Sequence, residues 1–348
     1  MLIINKLVRP NILNMKAYSS ARDEFKGSAN VFLDANENPY DTGLNRYPDP
    51  MAWEVKRALS KIKGILPENM FLGNGSDEVI DVLMRIFCEP KIDNIVTLPP
   101  TYGMYQVSAD TCDVAVRKVN LNLDFQPEVA EILRGCDERS KILFICSPNN
   151  PSGNSIERDR ILELINNFKG IVVVDEAYID FSSQPSCVEW IATNPNLVVM
   201  QTFSKAWGMA GIRLGMAFAS TEIIDLMNKV KPPYNVNLLT QNAALKGLKN
   251  KAKTKKLVVE ILDQREILSQ KLRNFTFVQK IYPSDANFLL VKVKQPDEFY
   301  HYLTSKGIVV RSRNNVTLCE GCLRITVGTP DENAVVLAAF EAAKFDFV

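Results

Sequence analysis

The chain has 348 residues, 46% of them hydrophobic and 23% charged, and its 41 basic side chains nearly cancel its 40 acidic ones. That length is too great for one small core and suits two α/β units. A net charge of +1 advertises neither nucleic acid nor a membrane as a partner, so any bound anion must be held by local groups.

The opening MLIINKLVRP has too short an apolar run for a signal-peptide core, and no later run is long enough to span a bilayer. A cytoplasmic protein is the expectation. The first 45 residues have no clear period and read as an N-terminal arm, grouped with the smaller unit. From about residue 70 to 220, β-branched runs alternate with helical patterns. The runs are Ile95–Leu98, Val114–Val119, Ile142–Cys146, Ile171–Val174 and Leu197–Gln201, with helices such as Ser76–Cys88 and Glu157–Phe168 between them. This alternation predicts an α/β fold with a mostly parallel central sheet and helices on both faces. A proline-free stretch from Leu238 to Arg273, rich in Leu, Lys and Glu, reads as helix. Strand and helix patterns at Phe288–Val293, Asp297–Lys306, Ile308–Arg311, Leu323–Val327 and Asp331–Lys344 then predict a smaller α+β domain. The expected division is an arm at 1–45, a large domain at 46–260 and a small domain at 261–348.

Seven scattered cysteines suit a reducing compartment better than a disulfide framework. Cys319 and Cys322 form a lone CxxC, and with one histidine in the chain a zinc site is not expected. The pair reads as a loop leading into a strand. His301 lies in the helical pattern DEFYHYLTSKG and reads as structural, so any proton shuttling must use Lys, Tyr, Asp or Glu.

Ligands of open parallel sheets bind beyond the carboxyl ends of the strands, and polar groups gather there. Gly73–Glu78 precedes the helical stripe VIDVLMRIF, which offers either a phosphate cradle at Gly75, Ser76 and Asp77 or a plain helix cap. It is not a dinucleotide fingerprint, because Glu78 stands at the third glycine position of GxGxxG. Tyr102 in PPTYGMY is placed to stack on a flat heterocycle or to pack in the core. Ser147–Gly153, with Asn150, is good turn chemistry. Asp175, at the end of VVVDEAY, needs a partner: a cationic ring nitrogen, or the helix that follows. Lys205 sits at a strand end among apolar and small residues, which lowers an amine's pKa and makes it a usable nucleophile and base. Thr202, Ser204 and Arg213 surround it with anion-binding groups, a combination that scaffold alone does not explain.

These segments, together with LDANENP (Leu33–Pro39), RYPDP (Arg46–Pro50) and LRITVGT (Leu323–Thr329), resemble the fold-type I pyridoxal-phosphate (PLP) transferases. Within them, the likeness is to the histidinol-phosphate aminotransferase family, and it runs over nearly the whole chain. The resemblance implies PLP as cofactor, with Lys205 in Schiff-base linkage to it and acting as the base. It implies that Asp175 keeps the pyridine nitrogen protonated and that Tyr178 and Asn150 bond the phenolate oxygen. Tyr102 is implied to stack on the ring, and Gly75, Ser76, Thr202, Ser204 and Arg213 to hold the phosphate, with Asp77 nearby. Tyr47 is implied to reach the cofactor of a neighbouring subunit, which makes the protein a homodimer with shared active sites. Arg324 matches an arginine that holds a carboxylate, and Arg311 lies thirteen residues before it. With Tyr18 of the arm they are expected to hold the phosphate of histidinol phosphate and the carboxylates of glutamate, while Asn36 and Glu37 line the imidazole end. Arg313 is close enough in sequence to be confused with Arg311. Ser152 replaces the threonine more usual in such loops.

The implied reaction is transamination between L-histidinol phosphate and 2-oxoglutarate. Two rivals share every cofactor motif: an aromatic-amino-acid aminotransferase and a phospho-amino-acid decarboxylase. A Rossmann dehydrogenase conflicts with the missing third glycine, and a PLP-binding regulator lacks a visible DNA-binding segment.

Overall fold

A computed structural model describes residues 4–17, 27 and 30–343. The described residues of the large unit form a seven-stranded sheet in the order β1-β7-β6-β5-β4-β2-β3. Its strands are β1 (Met70–Asn74), β2 (Asn94–Thr97), β3 (Ala115–Lys118), β4 (Ser140–Cys146), β5 (Ile171–Asp175), β6 (Leu197–Thr202) and β7 (Leu214–Ala219). From β3 through β6 every pairing is parallel, and β7 runs antiparallel to both β6 and β1. The expected parallel sheet is present, with two strands at one edge that the β-branched runs did not reveal.

Strand alternation sends successive side chains to opposite faces. Leu143, Ile145, Val172 and Val174 join one core, and Ile142, Phe144, Ile171 and Val173 join the other. The helix Arg158–Asn167 covers the first face through Ile161, Leu164 and Ile165. The helix Gly75–Phe87 covers the second through Val79, Val82, Leu83 and Ile86. A strand buried on both faces has no use for polar residues until it ends. At ~1.5–3 kcal/mol for each large aliphatic side chain removed from water, this patterning dominates the stability of the unit.

The smaller unit is an antiparallel sheet in the order β10-β11-β9-β8: β8 (Val278–Ile281), β9 (Phe288–Val293), β10 (Arg311–Ser312) and β11 (Cys322–Thr326). Its own core contains Leu268, Leu272, Phe277, Phe299 and Phe340. Cys322 opens β11 and Cys319 lies in the loop before it, both buried as free thiols.

Two of the expected boundaries meet different facts. The sequence places the arm at 1–45 with the smaller unit, yet its residues Ile4, Val8 and Ile12 pack into the core of the large one. Arg9 fixes that position by pairing with Glu89 at 3.0 Å and donating its backbone N–H to Ile86 O at 2.9 Å. The expected break at 260/261 falls inside the continuous helix Lys251–Leu272. Ile261 and Leu262 pack beside Tyr178 and Phe288, while Leu268 and Leu272 enter the smaller core, so this one helix serves both units.

Among the described residues no helix is long and apolar enough to cross a membrane.

Candidate active site

β2, β4, β5 and β6 point the same way, so their carboxyl ends open on one side of the sheet. Tyr102 follows β2, Asn150 follows β4, Asp175 ends β5 with Tyr178 after it, and Thr202 ends β6 with Ser204 and Lys205 after it. These residues line a cavity of about 660 Å³, closed on another side by Arg311, Arg313, Val316 and Arg324 of the smaller unit. The polar groups gather because each strand's hydrophobic run stops at the sheet's edge, where the backbone turns.

At the floor of the cavity, Asp175 is 3% exposed. Its Oδ1 accepts the Ala177 N–H at 3.1 Å and its Oδ2 accepts the Tyr105 hydroxyl at 2.7 Å. Burial raises the carboxyl's pKa to about 6, against the opposing pull of those two donors. Tyr105, stacked on Phe144 with ring centroids 4.5 Å apart, is wholly buried. Sequence reading did not single it out, although it sits three residues after Tyr102 and so one helical turn away. Tyr102 stands edge-on to Tyr105 and donates its hydroxyl to Asp77 at 3.2 Å.

Lys205 faces the open cavity with its Nζ 5.6 Å from the centre of the Tyr178 ring. Desolvation and the nearby Arg324 charge lower its pKa, with Asp175 and Asp77 pulling the other way. Desolvation wins, so the neutral amine is more available than in an exposed lysine. Tyr178 packs edge-on against Phe288, and burial pushes its phenol above the usual range.

A second cluster forms where β1 ends and β7 begins, because the two run antiparallel and bring residues 74–75 beside 213–215. Gly75 donates its N–H to Arg213 O at 2.8 Å and adopts a φ of 73°, a left-handed conformation that favours glycine. A Cβ on Gly215 would lie 2.2 Å from Ser76 N, so only glycine lets the strand touch the helix start. Arg213 lies 3.6 Å from Asp77. Thr202 and Ser204 are linked hydroxyl to hydroxyl at 3.0 Å. Helix N-terminus, two hydroxyls and a guanidinium together make a receptor for a phosphate.

On the opposite wall, Arg324 is paired across the antiparallel β10/β11 ladder with Arg311, and its NH1 donates to Asn150 Oδ1. The guanidinium lies 5.2 Å from the Phe288 ring. The thirteen-residue spacing of the two arginines is therefore a cross-strand pairing. Arg313 joins them in lining the cavity. In the loop after β4, the Ser152 hydroxyl accepts from Asn149 Nδ2 at 2.7 Å.

Tyr47 and Asn36 are not brought to Lys205. They line a separate cavity of about 410 Å³ with Glu37 and Leu239, and the Tyr47 ring stacks on Tyr234 at 4.4 Å. Glu37 is engaged locally, accepting from Arg46 and from the Tyr47 N–H. Tyr18 lies outside the described residues.

The arrangement can hold a phosphate at one end, a cationic ring nitrogen at the other, and an amine between them. Comparison with known proteins agrees with this chemistry. The histidinol-phosphate aminotransferase of Parabacteroides distasonis is 55% identical over 98% of this chain and 99% of its own length. The histidinol-phosphate aminotransferase structure from Clostridium acetobutylicum superposes with a TM-score of 0.80 at 23% identity, over 87% of this chain and 92% of that one. That from Sinorhizobium meliloti, solved in complex with pyridoxal 5′-phosphate, does so with a TM-score of 0.80 at 21% identity, over 87% and 84%. The family model for aminotransferases of class I and II matches residues 13–340, and this chain belongs to that family.

Proposed function

We propose that this protein is a PLP-dependent aminotransferase that moves the amino group of L-histidinol phosphate to 2-oxoglutarate, yielding imidazole-acetol phosphate and glutamate, a step of histidine biosynthesis. The carrying observation is the single cavity that sets Lys205 between a phosphate receptor, a buried acid and a wall of arginines.

The chain's own groups fit the cofactor. The hydroxyls of Thr202 and Ser204, the N–H groups opening the Gly75–Phe87 helix and Arg213 suit its phosphate, and the glycines at 75 and 215 keep that cradle free of Cβ atoms. Bound PLP supplies a carbonyl that takes up an amino group and a ring that draws electrons from the reacting carbon.

Asp175, held by Tyr105 and the Ala177 N–H, keeps a proton on the ring nitrogen. Tyr178 and Asn150 donate to the phenolate oxygen. Lys205 Nζ would hold the cofactor at its carbonyl and, as a free amine, would hold the proton taken from the substrate carbon. Its lowered pKa favours the neutral form this task requires. Arg311 and Arg324 receive the substrate's phosphate and then the carboxylates of the dicarboxylic partner.

We further read the protein as a cytoplasmic homodimer in which Tyr47 serves the neighbouring subunit's cofactor. The support is the placement of Tyr47, half exposed and away from Lys205, in a cavity it shares with the exposed apolar side chains Leu44 and Leu239.

The first test is spectral. Histidinol phosphate added to the PLP-loaded protein should abolish the visible cofactor band, and 2-oxoglutarate should restore it. Release of carbon dioxide without use of a keto acid would instead identify a decarboxylase. A response to phenylalanine alone would identify an aromatic aminotransferase.

A further inference from the structure

β10 and β11 set three guanidiniums against the cavity rather than two. Arg311 stands opposite Arg324. Beyond the last paired residue, Arg313 donates its backbone N–H to Cys322 O at 2.8 Å and continues the ladder. Residues two apart on an extended segment share a face, so Arg311 and Arg313 turn to the cavity together.

Arg313 is half-buried, and its Nε is buried without a hydrogen-bond partner among the described residues. Burial beside Arg324 and Arg311 lowers its pKa to about 10, which leaves it charged at neutral pH. The two acids lining the cavity are engaged elsewhere: Asp77 with Arg213 and Tyr102, Asp175 with Tyr105 and Ala177. A buried N–H without an acceptor, crowded by like charges, costs stability unless an incoming anion accepts from it.

We propose that Arg313 is a third ligand of the substrate's phosphate and sets the preference for doubly charged substrates over singly charged or neutral ones. This rests on the reading of the substrate as a phosphate-bearing amine. A phosphate monoester dianion presents three terminal oxygens, each able to accept more than one hydrogen bond, and of the facing pair Arg324 already donates one N–H to Asn150 Oδ1. The Arg313 side chain lines the same wall. A carboxylate, with one charge and two oxygens, needs the third guanidinium less.

The test compares wild-type and Arg313→Gln enzymes, both PLP-loaded. KM and kcat are measured for L-histidinol phosphate and for L-histidinol, which lacks the phosphate, and calorimetry gives the Kd of inorganic phosphate. Arg313→Gln should raise KM for histidinol phosphate about tenfold or more with kcat changed less than about twofold, and should weaken inorganic phosphate similarly. Turnover of histidinol should stay within about twofold of wild type. Arg313→Lys, which keeps the charge without the planar fork, should fall between the two and replaces the glutamine variant if that one does not fold. An unchanged phosphate Kd would overturn the proposal. So would an equal loss on histidinol and histidinol phosphate, which marks Arg313 as scaffold. If the wild type does not use histidinol phosphate, the substrate reading fails, and the phosphate Kd still decides whether Arg313 binds the anion.

Discussion

The two walls of the cavity handle charge in opposite ways. On the large-sheet side, each acid has a partner within the chain: Asp175 has Tyr105 and Ala177, and Asp77 has Tyr102 and Arg213. On the small-sheet side, Arg311, Arg313 and Arg324 crowd together, and among the described residues the hydrogen bond their side chains make is to one amide oxygen, that of Asn150. The first wall is assembled before any ligand arrives, as suits a resident cofactor. The second holds uncompensated positive charge, as suits anions that come and go. Lesions in the first should damage every substrate alike, and lesions in the second should discriminate by substrate charge.

The largest break is expected from Lys205→Ala. Loss of the amine should lower kcat by about 10³-fold or more for any amino donor, measured by glutamate formation. A variant that lost activity on histidinol phosphate while keeping it on another donor would dissolve the distinction between the walls.

Asp175→Asn comes next, with a fall in kcat of about 10²-fold on all donors, because the neutral amide cannot hold the ring nitrogen's proton. The same variant reads the acid's titration. The folded carboxyl titrates at about 6, above the ordinary value of about 4, so folding favours its protonated form. That contribution, at most about 3 kcal/mol, is complete below about pH 4 and lost as pH rises through about 6. The Tm of the cofactor-free wild type, relative to Asp175→Asn, should therefore decline over this window. A cationic ring beside the carboxylate reverses its preference, so PLP should flatten the decline. A difference independent of pH in the cofactor-free protein would show that the acid is not held up by burial.

Tyr105→Phe sharpens the same wall with the smallest effect. The ring still stacks on Phe144, but Asp175 loses a donor that lowers its pKa. Activity should fall by less than about tenfold, equally on all donors. The acid limb of the kcat/KM profile should move to higher pH, a shift that loss of packing alone would not produce.

Much of this was legible in the chain. β2, β4, β5 and β6 appear in the sequence as β-branched runs, and the groups at their ends were named in the right order. β1 and β7 were not recognised, because MFLGN and LGMAFA contain glycine and lack a run of Val and Ile. The glycine at 215 was itself a signal of close approach, here to Ser76 N. The helical stretch from 238 to 273 is two helices, Leu238–Lys249 and Lys251–Leu272, broken at Asn250. Gly247, in the last turn of the first helix, is a weak mark of that break, its carbonyl accepting the Asn250 N–H at 2.9 Å. Tyr105 is not legible for another reason, and Arg313 reads only as a neighbour to be confused with Arg311: each resembles a packing or surface residue until its neighbours across the fold are known.

By itself, the sequence determined the class of the fold and the kind of chemistry. Hydrophobic periodicity is set by which faces are buried, and the residue types at strand ends are set by what they bind; both are local and can be read along the chain. Only the tertiary structure decided which groups meet. Tyr105 reaches Asp175 across 70 positions, and Arg324 reaches Asn150 across 174. Ile4, Val8 and Ile12 pack on the large unit, and the third arginine turns to the cavity through an alternation visible only once β10 is paired. Such contacts depend on strand order and register, which no short stretch of sequence contains.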